Sequence, residues 1–195
     1  MATRGRRTRA RGGTQRGTLF LIVGPSGAGK DTLLRGARAA LAGDDDFVFA
    51  RRVITRPPAS EREDHEPLSA EAFLKRAQRG GFMLSWRVYD TDYGIPSAYG
   101  EALSAGRHVV ANVSRAVVAA AVSYFAPARV IQVTAPRVVL QARLAARADP
   151  AVAAARLARA VVLPDGVPVT HLLNVGDLEA GTRRLVHLLT ADRRG

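Results

Sequence analysis

Cysteine is absent from this chain of 195 residues. That excludes disulfides and thiolate chemistry, and it fits a cytoplasmic protein. No run of eighteen apolar residues occurs, so no membrane-spanning helix is expected. The basic start leads into no apolar stretch, so no secretory signal is expected. Histidines and acids show no metal-ligand spacing, there is no nucleophile elbow, and there is no internal repeat. Lysine is nearly missing: of 29 basic residues, all but Lys30 and Lys75 are arginine. Acids number only 17, which leaves a net charge of +12. Part of that excess sits in residues 1–17, where Arg4, Arg6, Arg7, Arg9, Arg11 and Arg16 meet no acid. This segment reads as a disordered basic tail, with an arm for nucleic acid or another anionic surface as the alternative. Nucleic acid is not the expected partner. The remaining excess suits a site for small polyanions. With 47% apolar residues, positions 18–195 can bury the core of one domain.

The kept lysine stands in an informative place. Residues 24–31 read Gly24, Pro25, Ser26, Gly27, Ala28, Gly29, Lys30, Asp31. They follow an apolar run, 18–23, and precede a helical pattern that starts with Thr32, Leu33 and Leu34. Strand, glycine-rich turn, lysine and helix make the phosphate-cradling P-loop arrangement. Glycines allow the backbone to aim successive N–H groups inward, and the following helix adds the positive end of its dipole. A slim ammonium at Lys30 would reach the outer phosphates of a nucleotide where a planar guanidinium would not fit. The usual Ser/Thr after the lysine is Asp31 here.

Apolar runs at 18–23, 47–54, 82–88, 108–113, 129–133 and 169–174 predict strands. Helical patterns cover 29–42, 69–79, 97–105, 115–125, 136–147, 151–162 and 177–190. Alternation of the two predicts a parallel sheet with helices on both faces, and a ligand at the carboxyl ends of its strands. Around that frame lie further candidates. Arg56 falls in a loop rich in proline and charge, where it could fork onto a phosphate. Ser85, Trp86 and Tyr93 could line a sugar or base pocket, or the two aromatics could simply pack. Asn112, Ser114 and Arg115 end a predicted strand; Ser114 equally suits a helix cap. Arg143 and Arg147 share a helix face and, with Arg156, could close as a lid over a transferring phosphoryl group.

With these residues in hand, the chain resembles the guanylate-kinase-like nucleoside monophosphate kinases over roughly residues 18–190. The departures are specific. Ala59 stands where that family has a second arginine, and His65 where it has a phosphate-clamping tyrosine. Ser85 replaces a guanine-reading glutamate, Ile95 a serine, and Asn112 and Ser114 two acids. A guanine pocket stripped of its polar readers should not select guanine. The same departures resemble the ribose 1,5-bisphosphate phosphokinase family of phosphonate breakdown. That family carries Asp after the P-loop lysine, an Ile-Thr-Arg, a Glu-x-His-x-x-Leu-Ser run (Glu63 to Ser69 here) and a Leu-Ser-Trp. It also carries a Tyr-Gly, an Asn-x-Ser-Arg, an Ala-Arg-Leu-Ala-Arg-Ala helix and a late Leu-Asn, here Leu173 and Asn174.

The resemblance implies a three-layer α/β P-loop fold of the nucleoside monophosphate kinase type. It implies a central parallel sheet, a small acceptor-binding region near 50–98 and a helical lid near 143–159. It implies ATP and Mg²⁺, with a sugar bisphosphate as acceptor and 5-phosphoribosyl 1-diphosphate as product. Lys30 and the loop residues would hold ATP, with Asn174 bordering the adenine. Arg56, His65, Ser85, Trp86, Tyr93, Asn112, Ser114 and Arg115 would hold the acceptor. Asp31 and Thr32 would meet the metal, unless Asp31 only stabilises its helix start. A monophosphate kinase of altered base preference and a catalytically silent binding module are the alternatives. Oligomeric state stays open, a homodimer among the options.

Overall fold

The computed structural model of the chain describes residues 16–57, 64–146 and 163–191. Its centre is the apolar run of β1 (Leu19–Val23), in which every residue is buried. Such a strand needs cover on both sides. It pairs in parallel with β7 (His108–Asn112) and β8 (Ala128–Thr134). Beyond them lie β2 (Phe47–Phe49) and β9 (Val169–Leu173), also parallel. The order β2-β7-β1-β8-β9 puts the reversal of strand order beside β1. Ligands of open α/β sheets bind at that crevice, outside the carboxyl ends of the strands.

Alternation along β1 divides the core in two. Leu19, Leu21 and Val23 pack with Leu103 of α3 (Ala98–Ser104) and with Val118 and Ala121 of α4 (Val118–Tyr124). Phe20 and Ile22 face the other layer. Leu33 and Ala37 of α1 (Lys30–Ala40), Leu140 of α5 (Arg137–Ala145) and Leu185 and Leu189 of α6 (Leu178–Thr190) meet them there. Helices therefore cover both faces, as the sequence pattern requires. Asp177 caps α6, its carboxylate accepting from the N–H groups of Glu179 and Ala180.

Between β2 and β7 the chain builds a second sheet, ordered β4-β3-β6-β5. Its strands are β3 (Arg52–Ile54), β4 (His65–Pro67), β5 (Phe82–Val88) and β6 (Thr91–Pro96). β3 and β4 run parallel, and the other pairs antiparallel. α2 (Ala70–Gln78), capped by Ser69, leans on this sheet through Phe73, whose ring stacks 4.5 Å from that of Phe82.

Four expectations change. The run 47–54 is two strands, because Phe47–Phe49 pairs with β7 while Arg52–Ile54 joins the second sheet. β4 and β6 carry no strand signal that the sequence reading detected. The region 115–125 begins as a 3-10 turn, Arg115–Val117, before α4. Gly17, assigned to the basic tail, is instead part of the packed structure, its N–H donating to the Leu103 carbonyl at 2.8 Å. The rest of the tail, up to residue 15, lies outside the described residues, as do the helix expected at 151–162 and most of the lid region, including Arg147 and Arg156.

Candidate active site

The loop between β1 and α1 forms a cradle held from outside by two distant segments. Gly24 has φ 141° and sits so close to β8 that a Cβ there would fall 2.0 Å from the Val133 carbonyl oxygen. Gly29 has φ 88°, and its Cβ would fall 2.4 Å from Asn174 Nδ2. Both contacts admit glycine alone. Asn174 is 5% exposed, and its Nδ2 donates to the Ala28 carbonyl at 2.7 Å. Its own N–H donates to the Thr134 carbonyl at 2.7 Å, so the residue is pinned to the end of β8. Asn174, expected beside a base, is hydrogen-bonded to the loop itself. Arg143 of α5 adds a third hold, its guanidinium donating to the Gly27 carbonyl at 3.3 Å. No side chain caps the amino end of α1, so its first N–H groups face an incoming anion. Pro25 is half-buried, Ser26 lies exposed at the loop tip, and Thr32 is half-buried in the first turn of α1.

Lys30 folds back onto this loop. Its ammonium donates to the carbonyls of Gly24 at 2.8 Å and Pro25 at 2.9 Å. Burial lowers its pKa from 10.5 to about 8; Asp31 opposes the shift, and the charges of Arg52 and Arg115 add to it. Asp31 itself is 60% exposed and has one carboxylate oxygen gripped twice. Oδ1 accepts from Asn112 Nδ2 at 2.7 Å and from the Arg52 guanidinium at 3.1 Å. Asn112, 6% exposed at the end of β7, therefore orients the acid beside Lys30. Arg52 escaped the sequence reading because it lies inside an otherwise apolar run; the arginine pair Arg51-Arg52 interrupting that run was the available signal.

The expected acceptor residues divide. Trp86 and Tyr93 are register partners on β5 and β6, with rings stacked 5.4 Å apart at 6°. Ser85 points to the opposite side of β5 and is exposed. Arg56, just past β3, is half-buried, and its guanidinium donates to the Pro57 carbonyl at 3.1 Å. His65 is 2% exposed, and its Nε2–H donates to the Arg56 carbonyl at 3.0 Å. A ring so buried props the Arg56 turn. Ser114 accepts from the Ala116 N–H at 3.3 Å and so caps the 3-10 turn that begins at Arg115. Among the described residues no group of three His, Cys, Asp or Glu could hold a metal ion, and no helix is long and apolar enough to cross a membrane. A cavity of about 660 Å³ lies elsewhere, between β9 and α6, lined by His171, Arg183 and His187 among others, and includes no cradle residue.

The chain is 47% identical over 178 residues to "Ribose 1,5-bisphosphate phosphokinase PhnN" of Methylobacterium radiotolerans, covering 90% of this chain and 98% of that protein. The chain belongs to the ribose 1,5-bisphosphate phosphokinase family. A second member, from Acidiphilium cryptum, is 54% identical over 146 residues, or 74% of this chain and 77% of that one. The "Bifunctional ribose 1,5-bisphosphokinase-thymidine phosphorylase" of Cupriavidus necator is 46% identical over 181 residues, 91% of this chain. The chain spans only 30% of that bifunctional relative's length. No protein-family model matches the chain. Among solved structures, a guanylate kinase from Anaplasma phagocytophilum aligns with a TM-score of 0.66 at 18% identity, over 93% of this chain and 89% of that one. At that identity the likeness concerns the fold: an α/β P-loop kinase architecture shared by guanylate kinase and this ribose 1,5-bisphosphate phosphokinase family member.

For such a family member the partly desolvated lysine predicts a pH effect. Phosphate anions need Lys30 charged. With its pKa at about 8 in the free protein, the charged fraction falls as pH rises through that value. Affinity for an ATP analogue is expected to weaken by up to about tenfold per pH unit above pH 8, as measured by calorimetry. Lys30→Met should bind weakly with a flat profile. The stability effect has the opposite sense. Above about pH 8 the folded chain has lost a proton that the unfolded chain keeps up to 10.5, so stability from this group rises with pH in that window.

Proposed function

We propose that the protein transfers the γ-phosphoryl group of ATP to the 1-phosphate of ribose 1,5-bisphosphate, giving ADP and 5-phosphoribosyl 1-diphosphate. The observation that carries this is the cradle with Lys30 folded onto its carbonyls, in a chain of this family with Ser85 where a guanine-reading glutamate would stand. An oxygen of the acceptor phosphate attacks the γ-phosphorus, and the bond to the β–γ bridging oxygen breaks. ADP leaves with that electron pair. The attacking oxygen is already anionic, so no general base is needed. Charge neutralisation and in-line placement do the work.

Lys30 and the loop amides hold the outer phosphates of ATP. Arg143 closes on the transferring group, joined by Arg147 and Arg156. Arg56, Trp86, Tyr93 and Arg115 hold the sugar bisphosphate, on the sheet that spans the acceptor region 50–98, with Ser85 on that sheet's other side. His65, Ser114, Asn112 and Asn174 keep that machinery in place rather than touch the substrate. Mg²⁺ would arrive with ATP and neutralise phosphate charge. A single exposed carboxylate, with one oxygen held by Asn112 and Arg52, suits an ion that takes most of its ligands from phosphate and water, so Asp31, with Thr32, is where the protein would meet it. A reaction that draws on ATP suits the cytoplasm.

An assay of ADP release across ribose 1,5-bisphosphate, GMP and other monophosphates tests the reading, with phosphorus NMR identifying the product. Turnover of the sugar bisphosphate should exceed that of GMP by at least about a hundredfold, because base selection needs paired polar groups. A preference for GMP, or no ADP release with any acceptor, would overturn it.

A further inference from the structure

Arg52 is out of place by ordinary rules. A strand residue in the second sheet, it is an arginine whose side chain is only 20% exposed. Desolvating a guanidinium is costly unless a partner repays it. The partner is Asp31, 60% exposed and already engaged through the same oxygen by Asn112. One N–H of five on the guanidinium is used on that carboxylate. No buried polar side-chain atom among the described residues lacks a partner, so the other N–H groups of Arg52 open to solvent. The surroundings are not neutral either. The charges of Arg52 and Arg115 are both felt at Lys30, on the same side of the cradle as Asp31. Such a cluster is built for an anion beyond the one that Lys30 itself serves.

We infer that Arg52 is an acceptor-binding residue: it grips the reacting phosphate of the sugar bisphosphate and lines it up with the γ-phosphate held at Lys30. The inference rests on the proposed reaction. Arg52 comes from the acceptor sheet, while Asp31 and Lys30 belong to the nucleotide cradle, so this guanidinium stands where the two halves of the site meet. Asp31 holds it in position in the absence of acceptor, and Asn112 holds Asp31. A lysine there could keep the charge but not the planar fork that binds a phosphate and a carboxylate together.

Arg52→Met, Arg52→Lys and Asp31→Asn test this through acceptor KM, kcat and the Kd of an ATP analogue. Loss of a charge-assisted phosphate contact should raise acceptor KM about 10- to 100-fold in Arg52→Met. Nucleotide Kd should change much less than acceptor KM, since the hydrogen bonds that hold Lys30 and the loop stay in place. Arg52→Lys should recover part of the loss. Asp31→Asn should raise acceptor KM clearly less than Arg52→Met does, because the guanidinium remains to bind the phosphate, while its loss of the metal contact shows in kcat. If Arg52 served only to steady Asp31, the Met and Asn variants would behave alike, and the inference would fail. It would also fail if acceptor KM in Arg52→Met stayed near the wild-type value. Should the Met variant not fold, the Lys variant decides: an unchanged acceptor KM overturns the inference, and a raised KM with intact nucleotide binding supports it. Wild-type protein with no turnover of the sugar bisphosphate would sink the proposed reaction itself, and this inference with it.

Discussion

Lys30→Met is expected to cut phosphoryl transfer by about a thousandfold or more while the fold persists. One preorganised donor to developing charge is worth about 10²–10³ in rate, and a cation on a transferring phosphoryl group more. The variant loses two hydrogen bonds to the Gly24 and Pro25 carbonyls. It also sheds the desolvation that holds the lysine pKa at about 8. These opposing changes leave the melting temperature within about 3 °C of wild type, a shift of order 1 kcal/mol in a chain this long. Single-turnover kinetics and a thermal melt check both parts. Undiminished turnover would remove Lys30 from the chemistry.

Gly24→Ala should act on the fold instead. At φ 141°, an L-residue is strained by about 1–3 kcal/mol. The new Cβ would sit 2.0 Å from the Val133 carbonyl oxygen, and displacing a core strand costs a further ~1–3 kcal/mol. The sum, about 2–6 kcal/mol, lowers the melting temperature by about 4–24 °C. Gly43→Ala supplies the control, since nothing lies within 4 Å of a Cβ there. A melt of Gly24→Ala that matched Gly43→Ala would show that the loop yields freely and does not lean on β8.

What the sequence disclosed follows from what each element needs locally. β1 and β8 are buried on both sides, so they read as short apolar runs. The cradle was legible because its glycines and lysine are dictated by backbone geometry. β4 and β6 were not. His65-Glu66-Pro67 has no alternation, and Thr91–Pro96 contains an acid, a glycine and a proline. These segments are strands only because β3 and β5 offer them partners. The switch of sheets inside 47–54 was equally hidden, since an apolar run does not say which neighbour it will pair with. Asn112 was recognised as a polar group at a strand end and His65 through the family resemblance, but their partners, Asp31 and the Arg56 carbonyl, come from distant or bent segments of chain. Residue identity flagged them, and only the fold could tell a positioning role from contact with a ligand.

The bond from Asn174 to the Ala28 carbonyl joins positions 146 apart. A growing chain on the ribosome therefore emits the complete glycine-lysine signature long before it can clasp a nucleotide. The clasp waits for β8, to back Gly24, and then for the turn after β9, to brace Ala28. ATP cannot template the early stages of folding in such a chain. It can only reward the finished fold, by binding it in preference to every unfinished one.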